Sequence, residues 1–244
     1  MTINSETTSA PDALSRISHF PITTRWRPAH PDRIQLYSYG TPNGVKISIA
    51  LEELGLAYEA HRIPLDDENV RSDAFLSLSP NNKIPAFIDP DGPGQRPIGM
   101  FESAAILMYL GDKSGRLFGG SVTERYEIMQ WLMFQIGSVG PMFGQFGFFH
   151  AFGGQDIADP RPLERYLNET RRLLSVVDRR LDGRTWIAGE YSIADIALGP
   201  WLETIERFYE AGKATGYDRL PRVIDYVRRF RARAAVAKGW SVLS

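Results

Sequence analysis

The spacing of apolar residues changes once along this chain, and the change falls at a glycine-rich break made by Ser114-Gly115 and Gly119-Gly120. Before the break, apolar residues come in short runs that read in turn as strands and helices. After it, helical spacing takes over: Leu163, Tyr166, Leu167, Leu174, Val177 and Leu181, with Thr170 among them, form one stripe. Net charge changes sign at the same place, from −5 over residues 34–114 to +3 over 115–244. A domain boundary is therefore expected there. Residues 1–33, rich in Ser, Thr, Pro and Arg, read as an extended tail. Residues 34–114 read as one domain and 121–244 as a second.

Within the first domain the expected order is βαβ, a short helix, then ββα. Ile34–Tyr37, Tyr58–Ile63 and Ile84–Ile88 read as strands, and Asp89–Gln95 as a hairpin turn into Arg96–Met100. Val45–Leu54 fits two readings. Val45, Ile47 and Ile49 alternate as in a strand, whereas Ala50, Leu51 and Leu54 before Gly55 suit a helix. Asp73–Leu78 reads as a short helix, and Glu102–Asp112 as a helix with Ala105, Ile106, Tyr109 and Leu110 on one face. This is the order of a thioredoxin-like domain. The fold class is thus α/β plus all-α, a thioredoxin-like N-terminal domain followed by an all-helical C-terminal domain. In the latter, Ser192 and Asp195 have the spacing of a capping box.

Composition closes several routes. Apolar residues at 43% and charged residues at 23% are globular values, which excludes collagen-like, coiled-coil and disordered chains. A net charge of −1 predicts no nucleic-acid partner. The Arg222–Lys238 stretch reads as a solvated helix face. No apolar run approaches the roughly 18 residues of a membrane span, and the first residues lack a signal-peptide core, so a cytoplasmic protein is expected. There is no cysteine. The chain therefore has no disulfide, no thiolate metal ligand and no thiol nucleophile of its own. His150 lacks a second ligand at metal spacing, and no metal site is expected.

Three segments carry candidate chemistry. Thr41-Pro42-Asn43-Gly44 lies between the first strand and the following segment. It reads as a helix cap, or as a grip on an anion in which the Thr41 hydroxyl and Asn43 amide donate to a thiolate at a helix N-terminus. Asn82-Lys83-Ile84-Pro85-Ala86 reads as an edge-strand proline, or as a cis proline that presents the Ile84 main chain to an extended ligand. Phe101-Glu102-Ser103 reads as a plain helix start, or as a holder for an amino-acid head group. Phe143, Phe146, Phe148, Phe149 and Phe152 suit either a helix core or the wall of an acceptor pocket. Gly144 and Gly147 among them suggest a kink or loop.

Taken in order with Ala188-Gly189 and Ser192-Ile193-Ala194-Asp195, these motifs resemble the cytosolic glutathione transferases, over about residues 34 to 240. The combination is most similar to the bacterial nu-class group, the glutathione-dependent disulfide-bond reductases. The resemblance implies a homodimer. It implies that Thr41 and Asn43 face the glutathione sulfur and that Ile84, before Pro85, pairs with the cysteinyl backbone. Lys83 is then near the glycyl end, and Glu102 and Ser103 hold the γ-glutamyl head. By the same resemblance Arg165, in Leu163-Glu164-Arg165-Tyr166, and Gln145 reach glutathione. One position departs: Val70 occupies a place where the family often has glutamine, beside the acidic run Asp66-Asp67-Glu68, whose solvent-facing reading is the ordinary one. Tyr37 and Tyr39 compete in sequence for the sulfur-facing role, but Thr-Pro-Asn-Gly belongs to the subgroup.

The expected activity is reduction of a small disulfide, or of an organic hydroperoxide, by bound glutathione. The site then holds two glutathiones or glutathione disulfide. The alternatives are a transferase that conjugates an electrophile in the Phe-lined pocket, and a non-catalytic glutathione-binding regulator.

Overall fold

The computed structural model describes residues 13–243. They form two compact units: residues up to Ser38 with Ala57–Phe101, and Tyr39–Leu56 with Glu102 onward.

The first unit is built on four strands, β1 (Ile34–Ser38), β2 (Tyr58–Arg62), β3 (Ala86–Asp89) and β4 (Ile98–Phe101), in the order β2-β1-β3-β4. β1 runs parallel to β2, with Leu36 opposite Ala60, and antiparallel to β3, with Leu36 opposite Phe87. β3 pairs antiparallel with β4. One parallel pair followed by an antiparallel hairpin is the thioredoxin-like sheet. β1 is buried at all five positions, so its apolar residues do not alternate with exposed polar ones.

Two short helices precede the sheet, α1 (Ala13–Ile17) and α2 (Ile22–Arg25). Here the structure differs from the extended tail expected over residues 1–33, of which residues 1–12 lie outside the described part. Ile17 and Ile22 are fully buried, in a cluster with Tyr37, Ile63, Phe75 and Ile88, and Trp26 packs against it. Too few apolar residues lie in this segment to show a period, yet Ile17, Phe20, Ile22 and Trp26 find the core. After β2 come α4 (Asp67–Val70) and α5 (Asp73–Leu76), capped by the side chains of Asp66 and Ser72.

The second unit begins with α3 (Val45–Leu54) and continues with α6 (Ser103–Ser114), α7 (Val122–Phe134) and α8 (Gly140–Ala151). It ends with α9 (Arg161–Arg180), α10 (Ile193–Arg207), α11 (Gly212–Thr215), α12 (Pro221–Arg231) and α13 (Ala234–Ser241). Every residue of α3 from Val45 to Leu51 is buried. A helix covered on all sides has no polar face, which is why the sequence there fits a strand equally well. It packs on α13, where Ser48 Oγ donates to the Gly239 carbonyl at 2.7 Å. A Cβ on Gly239 would stand 2.7 Å from the main-chain nitrogen of Ile49, so only glycine permits this approach. These contacts join α3 to the helical unit, and the units therefore do not divide at the glycine-rich break.

α10 is buried from Ile193 to Ile205. Its start carries the capping box expected from sequence. Ser192 N–H and Oγ–H donate to Asp195 Oδ2 at 3.0 and 3.2 Å. Ile187 N–H and Tyr226 O–H donate to Asp195 Oδ1, both at 2.9 Å. α7 and α8 are joined by a π-helical segment, Gln135–Val139.

No described helix is long and apolar enough to cross a membrane.

Candidate active site

The first turn of α3 is set by Thr41. Its carbonyl accepts from Val45 N–H at 3.0 Å, so helical bonding starts at Thr41. Its Oγ1 accepts from Gly44 N–H at 3.2 Å, the bond of an N-cap residue. Pro42 follows in the turn that leads into Val45, where its missing N–H leaves no helical carbonyl unpaired. The two readings of this motif are compatible. Capping uses the Thr41 oxygen as acceptor and leaves the hydroxyl proton to donate, at the positive end of a helix.

Asn43 lies in the same turn. Its Oδ1 accepts from Lys46 Nζ at 2.8 Å and from Trp201 Nε1 at 2.9 Å. Two donors on one oxygen fix which way the amide is turned, so its NH2 group is the face left to donate. Lys46 itself has no exposed surface. It also donates to Gln135 Oε1 at 2.7 Å and approaches Ser103 Oγ at 3.4 Å. Burial brings the Lys46 pKa down to about 7, against the pull of the Glu102 carboxylate.

Glu102 and Ser103 open α6. Glu102 is exposed and sits at φ 69°, ψ 110°, a left-handed backbone that a non-glycine residue adopts only when held there. Ser103 is buried. With the first main-chain N–H groups of α6 they present one carboxylate, one hydroxyl and free donors together.

In the first unit, the loop before β3 holds Lys83, Ile84 and Pro85. Ser79 Oγ donates to the Lys83 carbonyl at 2.7 Å, and Asn82 takes a left-handed φ of 49°. The Ile84–Pro85 peptide is cis. Ile84 is half-buried, and neither its N–H nor its carbonyl enters a main-chain hydrogen bond among the described residues. Lys83 is exposed.

Gln145 on α8 and Arg165 on α9 are both exposed, on two helices that pack together. α8 is a regular helix, without the kink or loop expected at its glycines. A Cβ on Gly147 would stand 2.3 Å from Tyr209 Cζ, so this glycine serves a close approach. The irregularity lies instead in the π-helical segment just before. The phenylalanines divide by helix face. Phe143 and Phe146 are core, Phe149 stacks on Tyr166, and Phe148 and Phe152 are exposed. Among the described residues no group of three His, Asp or Glu side chains is placed to hold a metal.

The glutathione S-transferase N-terminal domain family matches residues 41–113, and the glutathione S-transferase C-terminal domain family matches residues 147–234. The disulfide-bond oxidoreductase YfcG of Escherichia coli (strain K12) is 40% identical over 207 residues, covering 84% of this chain and 93% of that protein. The chain belongs to the glutathione S-transferase family. Among solved structures, a glutathione transferase from Pseudomonas putida, with one glutathione disulfide bound per subunit, superposes with a TM-score of 0.92. It is 52% identical and covers 94% of this chain and all of its own. A family member from Pseudomonas fluorescens pf-5, with two glutathiones bound, has a TM-score of 0.89 and 55% identity, covering 91% of this chain and 98% of its own.

In this glutathione S-transferase, Tyr37 is fully buried, and burial raises its pKa well above the ordinary tyrosine value. It stacks on His61 at 4.6 Å and belongs to the core of the first unit. Val70 is likewise a core residue, packed with Ile63 and Phe75, while Asp66, Asp67 and Glu68 face solvent. The sequence reading missed Lys46, Gln135 and Trp201. The available signal was a lysine in the stretch 45–51, which is otherwise apolar except for Ser48.

Proposed function

We propose that this glutathione S-transferase is a glutathione-dependent disulfide-bond reductase. The observation that carries the reading is the Asn43 amide. Its oxygen is held by Lys46 and Trp201, so its NH2 group faces outward beside the Thr41 hydroxyl at the start of α3. These two donors stabilise a glutathione thiolate without themselves having to titrate. The thiolate attacks a disulfide sulfur, forming a mixed disulfide and releasing one thiolate of the substrate. A second glutathione thiolate attacks the mixed disulfide, releasing the other substrate thiolate and glutathione disulfide. Two glutathiones are oxidised and one disulfide reduced. Since the chain has no cysteine, both reacting thiols are borrowed. YfcG, named as a disulfide-bond oxidoreductase, and the Pseudomonas structures with glutathione disulfide or two glutathiones bound support this reading.

Around the sulfur, the Ile84 main chain before Pro85 pairs with the cysteinyl backbone, and Lys83 serves the glycyl carboxylate. Glu102 and Ser103 hold the γ-glutamyl head. Gln145 and Arg165 serve the second glutathione. Exposed Val122, Tyr126 and Met133 on one side of α7 supply an apolar face for a homodimer. A reaction that consumes reduced glutathione suits the cytoplasm. The test is reduction of 2-hydroxyethyl disulfide, coupled through glutathione reductase to NADPH oxidation. Steady turnover is expected. Folded protein that binds glutathione and shows no turnover would overturn the reading.

Conjugation is the second reading. Phe148 on α8 and Phe152 just past its end are exposed, as an apolar acceptor site requires. A chromogenic aryl halide distinguishes it, and the reductase reading expects disulfide turnover to exceed conjugation.

A further inference from the structure

A lysine with no exposed surface is an expensive thing to bury, and among the described residues Lys46 is bonded to no carboxylate. Its hydrogen-bond acceptors are neutral oxygens of Asn43, Gln135 and, more distantly, Ser103. Gln135 spends its oxygen on this lysine and leaves its own buried Nε2 without a partner among the described residues. Lys46 also stands early in α3, where the helix dipole disfavours a cation. Nothing in the packing alone calls for this arrangement, since a methionine would fill the same space. An anion at the N-terminus of α3 would reverse its balance.

We propose that Lys46 is a positioning residue for thiolate chemistry. Its ammonium holds the Asn43 oxygen inward, so that the amide N–H groups face the glutathione sulfur, and it sets a positive charge behind the first turn of α3. The proposal rests on the reading that glutathione ionises beside Thr41 and Asn43. It adds that two residues assigned to different ends of glutathione, Asn43 and Ser103, are tied to one buried cation.

The charged groups around Lys46 are few. From the start of α6 the Glu102 carboxylate faces it and favours its charged form. α10 presents Trp201, and the π-helical segment presents Gln135, both uncharged. Arg233, just before α13, and Lys238 on it are engaged by Glu53 and Glu52, at the far end of α3. With a pKa near 7, Lys46 takes up a proton readily when a thiolate forms, so the two sites titrate as a coupled pair.

The test compares the unsubstituted protein with Lys46→Met, each saturated with glutathione. The bound thiol is titrated by the ultraviolet absorbance of its thiolate, next to the pH profile of kcat/KM and a thermal melt. In the unsubstituted protein the bound thiol titrates below free glutathione. In Lys46→Met the midpoint rises by about one pH unit. Turnover below that midpoint then falls about tenfold, while the melting temperature is unchanged or higher. Trp201→Phe removes the other donor to Asn43 but keeps the charge, so it lowers turnover and leaves the midpoint in place. If Lys46→Met does not fold, nitrogen NMR of labelled lysine in the unsubstituted protein decides alone: glutathione must raise the Lys46 midpoint, by reciprocal coupling. A bound thiol that titrates as free glutathione overturns the thiolate reading itself. A thiol midpoint lowered in the unsubstituted protein but unmoved in Lys46→Met overturns the role of Lys46 alone, as does a Lys46 midpoint that ignores glutathione.

Discussion

The helical unit buries Asp195 and Lys46 completely, and it treats the two in opposite ways. Burial works against the charged form of each, raising the Asp195 pKa to about 6 and lowering that of Lys46 to about 7. Asp195 is surrounded by four donors, two main-chain N–H groups and two hydroxyls, each directed at one of its oxygens. They close the start of α10, join Tyr226 of α12 to it and leave no oxygen idle. Lys46 has only neutral acceptors, and one of them, Gln135, is left half-satisfied. Complete satisfaction marks a group that holds the fold. Incomplete satisfaction at the start of a helix, beside a free amide and hydroxyl, marks a group whose balance a ligand completes.

Four measurements bear on this contrast. The largest effect is expected from Asp195→Ala, which strands buried donors of Ile187, Ser192 and Tyr226. Urea unfolding should show a loss of about 3 kcal/mol or more, and a loss below about 1 kcal/mol would erase the difference between the two sites. Next, Asn43→Ala should cut kcat/KM for 2-hydroxyethyl disulfide about a hundredfold, the scale of one donor to a developing or stabilised anion. Its melting temperature should also fall, because the change strands the Lys46 and Trp201 donors, so activity is compared where both proteins are folded; an activity within twofold of the unsubstituted protein would remove Asn43 from the site.

The third is a pH dependence. Lys46 binds its proton less tightly folded, at about 7, than its ordinary value of 10.5. Between those values the unfolded chain holds more protons, so ligand-free stability rises with pH from about 7 toward 10, by at most about 1.4 kcal/mol per pH unit. The buried tyrosines oppose this only at higher pH, since burial raises their pKa values. Denaturant unfolding at several pH values measures the slope. Lys46→Met should flatten it, and an equal slope in both proteins would show that Lys46 does not titrate there. The smallest effect is Ser192→Ala, about 1 kcal/mol for a lost cap, with turnover unchanged. A larger activity loss than stability loss would give the α10 cap a part in the chemistry.

What could be read from sequence was mostly local. The Thr41 cap and the Ser192–Asp195 box involve bonds over two to four residues, and residue type at that spacing is enough to propose them. The succession of strands along the chain was legible because turns and short apolar runs alternate. α3 was not, because a helix buried on every side loses the stripe that identifies it. Nor were Gln135 and Trp201, whose bonds to Lys46 and Asn43 span 89 and 158 residues. Gly144 and Gly147 suggested a break, yet Gly147 lies in a regular helix and makes room for Tyr209. A glycine's purpose depends on what approaches it, and that neighbour is distant in sequence.

By itself the sequence determined the inventory. It holds no thiol, so any thiol chemistry must use borrowed sulfur, and it holds Thr41 and Asn43 just after the first strand. The tertiary structure decided the environment. It put Lys46 out of water, turned the Asn43 amide by placing Trp201 on its oxygen, and gave Asp195 every donor it needs. The reason is that hydrogen-bonding capacity belongs to a residue type, whereas dielectric and partner choice arise only when distant segments pack.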